Sequence, residues 1–283
     1  MKLTIIKNLS FIISIVLFSC QKERDKENPL MSIENISLQA SKLEICGVIE
    51  QDVFKVTGGD SISFIGIFSD NTALSQYKID IHNNFNCHGH SIGVISGVTI
   101  PTVNATTSDW YNLTSTDISG TNITKTINLK IPHNVTAGNY HFSIQLFDEA
   151  GNENATQKNF SFKVFNREDL LSPLLKLNFP GTSDFNAKRG DKLKFEGTVT
   201  DNYSLYKGGN GLIFLSYTNL STGSIVATDT YRYFSSDEDV TAKFELSYTV
   251  SNTMPAGVYK FTIIAYDGVR NVSNVVDYLV KLQ

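Results

Sequence analysis

Cysteine is nearly absent from this chain of 283 residues, histidine is sparse, and a long apolar run occurs in only one place. Of three cysteines, Cys20 closes the N-terminal apolar run. Only Cys46 and Cys87 remain for the folded part, so at most one disulfide joins them, and an oxidising compartment would permit it. The sequence has no second apolar span. A net charge of −4 is too small to imply a dedicated nucleic-acid partner. No stretch carries a sustained helical stripe, which argues against a helical core. A Gly-x-Ser-x-Gly elbow, a phosphate loop, a dinucleotide fingerprint and a zinc-protease helix are all missing, and an enzyme is not expected.

What is present begins at the N-terminus. Lys2 and Lys7 precede an apolar core from Phe11 to Phe18, which is too short for a membrane span and reads as a secretory signal over residues 1–19. Leu17-Phe18-Ser19-Cys20 resembles a bacterial lipobox, in which Cys20 would carry the lipid. The charged stretch that follows, residues 20–30, cannot build a core and reads as a flexible tether. Its Gln21-Lys22-Glu23 start is similar to the signal that sends such lipoproteins to the outer face of the outer membrane, a periplasmic location being the alternative.

Beyond the tether the chain repeats itself. Gly59-Asp60-Ser61-Ile62-Ser63-Phe64-Ile65-Gly66 with Asp70-Asn71 recurs as Gly190-Asp191-Lys192-Leu193-Lys194-Phe195-Glu196-Gly197 with Asp201-Asn202. Ala137-Gly138-Asn139-Tyr140-His141-Phe142 with Asp148 and Asn152 recurs as Ala256-Gly257-Val258-Tyr259-Lys260-Phe261 with Asp267 and Asn271. Two blocks in the same order mean two copies of one domain. Within the blocks apolar residues alternate (Ile62, Phe64, Gly66 and Phe68 on one side), the period of a strand. The expected fold is all-β: two tandem immunoglobulin-like β-sandwich domains, residues 31–165 and 174–283, joined by a linker over 166–173. The first block suits strand B and the second strand F, where Tyr140 and Tyr259 have the placing of a tyrosine corner. The acids Asp148 and Asp267 open turns into strand G. With Asp70 or Asp201 they could also hold calcium, although turn chemistry alone explains them.

The copies differ between strands B and F. Their offset falls from 131 residues (Gly66 to Gly197) to 119 (Gly138 to Gly257), so the first copy is the longer there. All five histidines lie in that copy: His82, His88, His90, His133 and His141. Strands C and F are antiparallel neighbours in such a sandwich. Alternation turns His82 outward at the end of C and His141 outward at the start of F, and both fall at one end of the sheet. His88-Gly89-His90 leaves from that end, and the turn with His133 arrives there. Imidazole suits zinc, copper or nickel, which makes His82, His88, His90 and His141 the expected ligands of a transition metal, zinc or copper. A polar loop that binds nothing is the bland alternative. Cys87 could be a further ligand, a partner of Cys46, or a buried thiol.

The run from Tyr77 through Lys78-Ile79-Asp80-Ile81-His82-Asn83-Asn84-Phe85-Asn86-Cys87-His88-Gly89 to His90 resembles the signature of the DUF4625 family of Bacteroidetes lipoproteins. The resemblance implies an envelope lipoprotein and is expected to reach the second copy through the repeat. It brings no activity with it, because that family is defined by sequence. Two functions compete on these observations. One is metal capture or sensing on a membrane-anchored lipoprotein. The other is a structural or adhesive module binding glycan or protein without metal, with Tyr206, Tyr231, Tyr233 and Phe234 as an aromatic platform for sugars. Strand G of the first copy runs back toward the histidine end. The metal site is therefore expected near the domain junction, facing the Asp201 and Asp267 loops, where a bound ion would stiffen the hinge.

Overall fold

A computed structural model describes residues 24–45, 48–85, 106–155 and 158–283. Cys20, Cys46, Cys87, His88 and His90 lie outside these residues, and with them the lipidation site, the disulfide and two of the four expected metal ligands.

Among the described residues seventeen strands and no helix occur, and they make two sandwiches of closely related topology, the first with one extra edge strand. The first uses β1 (Leu30–Glu34), β2 (Ala40–Ile45), β3 (Val48–Thr57), β4 (Ser61–Ser69), β5 (Leu74–Asn83), β6 (Asn112–Asp117), β7 (Asn122–Lys130), β8 (Gly138–Asp148) and β9 (Lys158–Phe165). The second uses β10 (Leu174–Phe179), β11 (Asp184–Ala187), β12 (Lys192–Thr200), β13 (Leu212–Asn219), β14 (Ile225–Tyr233), β15 (Thr241–Thr249), β16 (Gly257–Tyr266) and β17 (Val276–Leu282). One sheet of each is three-stranded, β1-β4-β7 and β10-β12-β15, which is the order A-B-E. The facing sheets run β2-β3-β9-β8-β5-β6 and β11-β17-β16-β13-β14. In both, the strand after C pairs with C as a C′ strand, and a strand that precedes B (the second half of β3, or β11) lies parallel to G.

Alternation drives this assembly. In β4 residues Ile62, Phe64, Gly66 and Phe68 are buried and the residues between them are not. Opposite them Tyr77, Ile79, Ile81, Tyr140, Phe142 and Phe162 fill the first core. Phe195, Phe261 and Tyr278 lead the second. Each large side chain removed from water contributes roughly 1.5–3 kcal/mol. Both tyrosine corners form: the Tyr140 hydroxyl donates to the Thr136 carbonyl and that of Tyr259 to the Pro255 carbonyl, each at 2.8 Å. In the first corner the Tyr140 oxygen also accepts the Trp110 amide at 3.3 Å.

The described end of the tether, expected to be flexible, is packed, and so is the linker. In the tether, the Asp25 and Glu27 carbonyls accept the Asn152 side-chain amide, both at 3.1 Å, and the Arg24 guanidinium donates to the Ala150 carbonyl. In the linker, Asn166 and Asp169 are buried, and Asn166 donates to the Val135 carbonyl at 2.7 Å. Charged residues in both segments find backbone partners in neighbouring turns, which composition alone does not reveal.

The two sandwiches meet at a tight junction. The Ala137 amide donates to the Val269 carbonyl at 3.0 Å and the Thr106 amide to the Gly208 carbonyl at 2.9 Å. The Asn210 side chain donates to the Thr107 hydroxyl at 2.7 Å. The Arg270 guanidinium lies between two rings, 4.2 Å from Phe85 of the first sandwich and 4.8 Å from Tyr266 of the second.

Candidate metal centres

Register brings two of the expected ligands together. β5 and β8 pair antiparallel with Ile81 opposite Phe142 and His82 opposite His141. Ile81 and Phe142 point into the core, so the two histidines stand side by side on the other face. Their ring centroids are 5.6 Å apart and their planes lie at 79°. Imidazoles bound to one ion through N–Zn bonds of about 2.0–2.1 Å have centroids up to roughly 6 Å apart, so this spacing is compatible with a shared ion. His82 Nδ1 lies 2.9 Å from the Asp80 carboxylate, the carboxylate–histidine pairing that orients metal-bound imidazoles. His141 Nε2 lies 2.8 Å from the side-chain amide of the buried Asn84. The Asn84 amide nitrogen donates to Nε2, so the neutral His141 ring carries its proton on Nδ1.

The pair borders a cleft of about 560 Å³, whose other walls include Glu50 and Asp52 of β3 and Ser161 of β9. His133 does not join it. That side chain is exposed on the turn after β7, beside Gly59. The aromatic platform does not assemble either. Phe234 is buried in the second core, and the Tyr231 and Tyr233 rings, 5.7 Å apart, meet edge to face at 80° and offer no common flat surface.

Among the described residues, a second kind of cluster recurs at corresponding places of the two copies. Carboxylate oxygens of Asp25, Asp70 and Asp148 lie within 4.8 Å of one another, and so do those of Asp169, Asp201 and Asp267. Several of the hydrogen bonds around them repeat between the two trios. Asp25 Oδ1 accepts from the Glu27 amide and the Asn71 side chain, and Asp169 Oδ1 from the Leu171 amide and the Asn202 side chain. Asp148 accepts the Asn152 backbone and side-chain N–H groups at 2.7 and 2.6 Å, and Asp267 those of Asn271, both at 2.8 Å. Asn152 then reaches the Asp25 carbonyl and Asn271 the Asp169 carbonyl, both at 3.1 Å.

Reading the turns identified four of these six acids. Asp25 and Asp169 were missed because they fall in the tether and the linker. A signal for them exists: Asp25-Lys26-Glu27-Asn28-Pro29-Leu30 and Asp169-Leu170-Leu171-Ser172-Pro173-Leu174 share an Asp-x-x-x-Pro-Leu pattern, and both Leu residues open strand A. The second trio is the more deeply buried. Burial, reinforced by the charges of Asp169 and Asp201 and opposed by Asn271, pushes the Asp267 carboxyl up to about 8. Asp201 is raised too, first by burial and then by the Asp169 charge. The more open Asp25 is lowered, chiefly by the Thr72 hydroxyl.

Residues 18–163 match the model of the domain of unknown function DUF4625. The chain belongs to this family. The DUF4625 match takes in the histidine pair and the first acidic trio and stops inside β9, so the second sandwich, expected to be included, lies beyond it. No curated protein matches the chain. Among solved structures, the fibronectin(III)-like modules of CbhA from Clostridium thermocellum are 13% identical, with 90% of this chain and 94% of that one covered and a TM-score of 0.30. A tandem pair of titin immunoglobulin domains is 13% identical over 89% of this chain and 98% of that one, with a TM-score of 0.22. The SrpA adhesin from Streptococcus sanguinis is 22% identical over 41% of this chain and 57% of that one, with a TM-score of 0.25.

Proposed function

We propose that this DUF4625 protein is a lipid-anchored module of the bacterial cell envelope that holds a transition-metal ion, zinc or copper, at the C–F end of its first sandwich. Its role is capture or sensing of the ion rather than catalysis. Cys20, behind the lipobox-like Leu17-Phe18-Ser19, carries the anchor, and the outer face of the outer membrane is the location that the Gln21-Lys22-Glu23 start favours.

The observation that carries the metal reading is the His82–His141 pair. Two strands fix both imidazoles in register, 5.6 Å apart, and Asp80 orients one of them. Ligands borne on strands are held more precisely than ligands on loops. His88 and His90, on the connection that leaves β5, complete the set in this reading. Imidazole nitrogens select zinc or copper over calcium or magnesium.

The test is elemental analysis of the soluble chain starting after Cys20, after exposure to zinc or copper and removal of excess ion. One equivalent of metal is expected in the parent protein, and it is lost in the His82→Ala/His141→Ala double variant. Metal retained at full stoichiometry in that variant rejects the ligand set.

A further inference from the structure

We propose that Asp169, Asp201 and Asp267 form a calcium site at the junction of the two sandwiches, independent of the histidine pair. The three carboxylates come from separate places. Asp169 lies in the segment between the sandwiches, Asp201 follows β12 and Asp267 follows β16. All three present oxygens within 4.8 Å of one another.

What separates this trio from an ordinary cluster of acids is burial without a charge partner and one deeply buried orphan oxygen. Asp169 is 2% exposed and Asp267 fully buried. Asp169 Oδ1 is held by Leu171 and Asn202, but Asp169 Oδ2 is buried with no hydrogen-bond partner, and the half-buried Asp201 has only the backbone amides of Asn202 and Tyr203 beside it. Among the described residues no lysine or arginine forms an ion pair with any of the three; Arg270, the nearest in sequence to Asp267, stacks on Phe85 and Tyr266 instead. Like charges crowded together largely out of water, with no cation facing them, are unfavourable. A cation bound among them removes the repulsion and also satisfies the orphaned oxygen.

The ligand chemistry selects the ion. All three donors are carboxylate oxygens, with no imidazole or thiolate, which points to a hard cation. Calcium accepts six to eight oxygens in flexible geometry, whereas magnesium demands a near-ideal octahedron and sheds its water reluctantly. The Asp25, Asp70 and Asp148 trio is the less buried counterpart. There the Thr72 hydroxyl already bonds Asp25, so the junction trio is the tighter site.

The alternative is that a proton shared among the three acids settles the charge without an ion, and a calorimetric titration separates the two. Calcium chloride is added to the chelator-treated full-length chain, with magnesium chloride in parallel. Saturable calcium binding is expected, at least tenfold tighter than magnesium, and the Asp169→Asn/Asp201→Asn variant loses one equivalent. Should that variant fail to fold, Asp201→Asn alone serves, read by thermal unfolding. In chelator it unfolds at a higher temperature than the parent, because one repelling charge is gone. In millimolar calcium the order reverses, because a ligand is gone. A purely structural role for Asp201 gives no such crossing. A parent chain that binds no calcium at millimolar concentration, or a variant that binds it as the parent does, overturns the proposal.

Discussion

Asp267 makes the stability of the second sandwich depend on pH in an unusual direction. Its carboxyl titrates near 8 in the folded chain, against an ordinary value of 3.8. The folded state therefore binds this proton more tightly than the unfolded state does. The resulting stabilisation is full below about pH 4 and declines as pH rises toward 8. A shift of about four units at roughly 1.4 kcal/mol each sets a ceiling near 5–6 kcal/mol. The measurement is calorimetric unfolding between pH 5 and 8, in chelator and again in millimolar calcium. In chelator the unfolding temperature of the second sandwich should fall steadily with pH. At about 4–8 °C per kcal/mol for a domain near 100 residues, even half the ceiling is an easily resolved shift. Calcium, which binds the ionised form, should flatten the profile by linkage. Asp267→Asn should flatten it in chelator too, at a cost of about 1 kcal/mol for the Asn271 hydrogen bond that an amide nitrogen cannot accept. Stability that rises with pH in chelator, or an unchanged slope in Asp267→Asn, refutes the reasoning.

Other perturbations test the frame that carries these sites. Tyr140→Phe strips a buried carbonyl and the Trp110 amide of their partner, and urea unfolding should show a loss of about 1–3 kcal/mol, more than for Tyr259→Phe, whose hydroxyl oxygen accepts only from the Asn219 side chain at 3.4 Å. Gly138→Ala places a methyl 2.6 Å from the Phe85 ring at φ +141° and should cost about 1–3 kcal/mol by the same measurement. Phe85→Ala removes one face of the Arg270 sandwich. The junction should then give a broader distribution of domain orientations in small-angle scattering, while each sandwich keeps its own unfolding transition.

The fold was legible because its signals are local and occur twice. Alternation in β4 and β12 gave strand B, and a Gly-x-Tyr start gave strand F, since only a tyrosine there can reach back to the preceding turn. The facing of His82 and His141 followed from parity along two neighbouring strands. The placing of the junction followed from the direction of strand G, and the Ala137–Val269 hydrogen bond lies where that direction leads. What did not follow was the role of acids in charged stretches. Asp25 sits among Lys22, Glu23, Arg24, Lys26 and Glu27, and such a run reads as solvated because nothing local marks which charge turns inward. The turn that receives Asp25 is 127 residues away, at Asn152. The reading of Phe234 as a surface ring failed because it lies one residue past β14, where the chain turns into the core.

The two proposed centres lie close together yet should not compete for ions. His141 is the fourth residue of β8, and the residue just before β8, Ala137, bonds to Val269 in the turn that Asp267 opens. Imidazoles on one side and carboxylates on the other sort a mixture of zinc and calcium by ligand softness. Calcium should therefore raise the stability of the His82→Ala/His141→Ala variant as much as that of the parent. Zinc should raise that of the parent and leave the double variant unmoved. Because the acids draw on the linker through Asp169 and on the second sandwich through Asp201 and Asp267, the calcium increment should also appear as a narrower spread of domain orientations in scattering. A zinc increment that survives loss of both histidines, or a calcium increment that disappears with them, would show that the two centres are one.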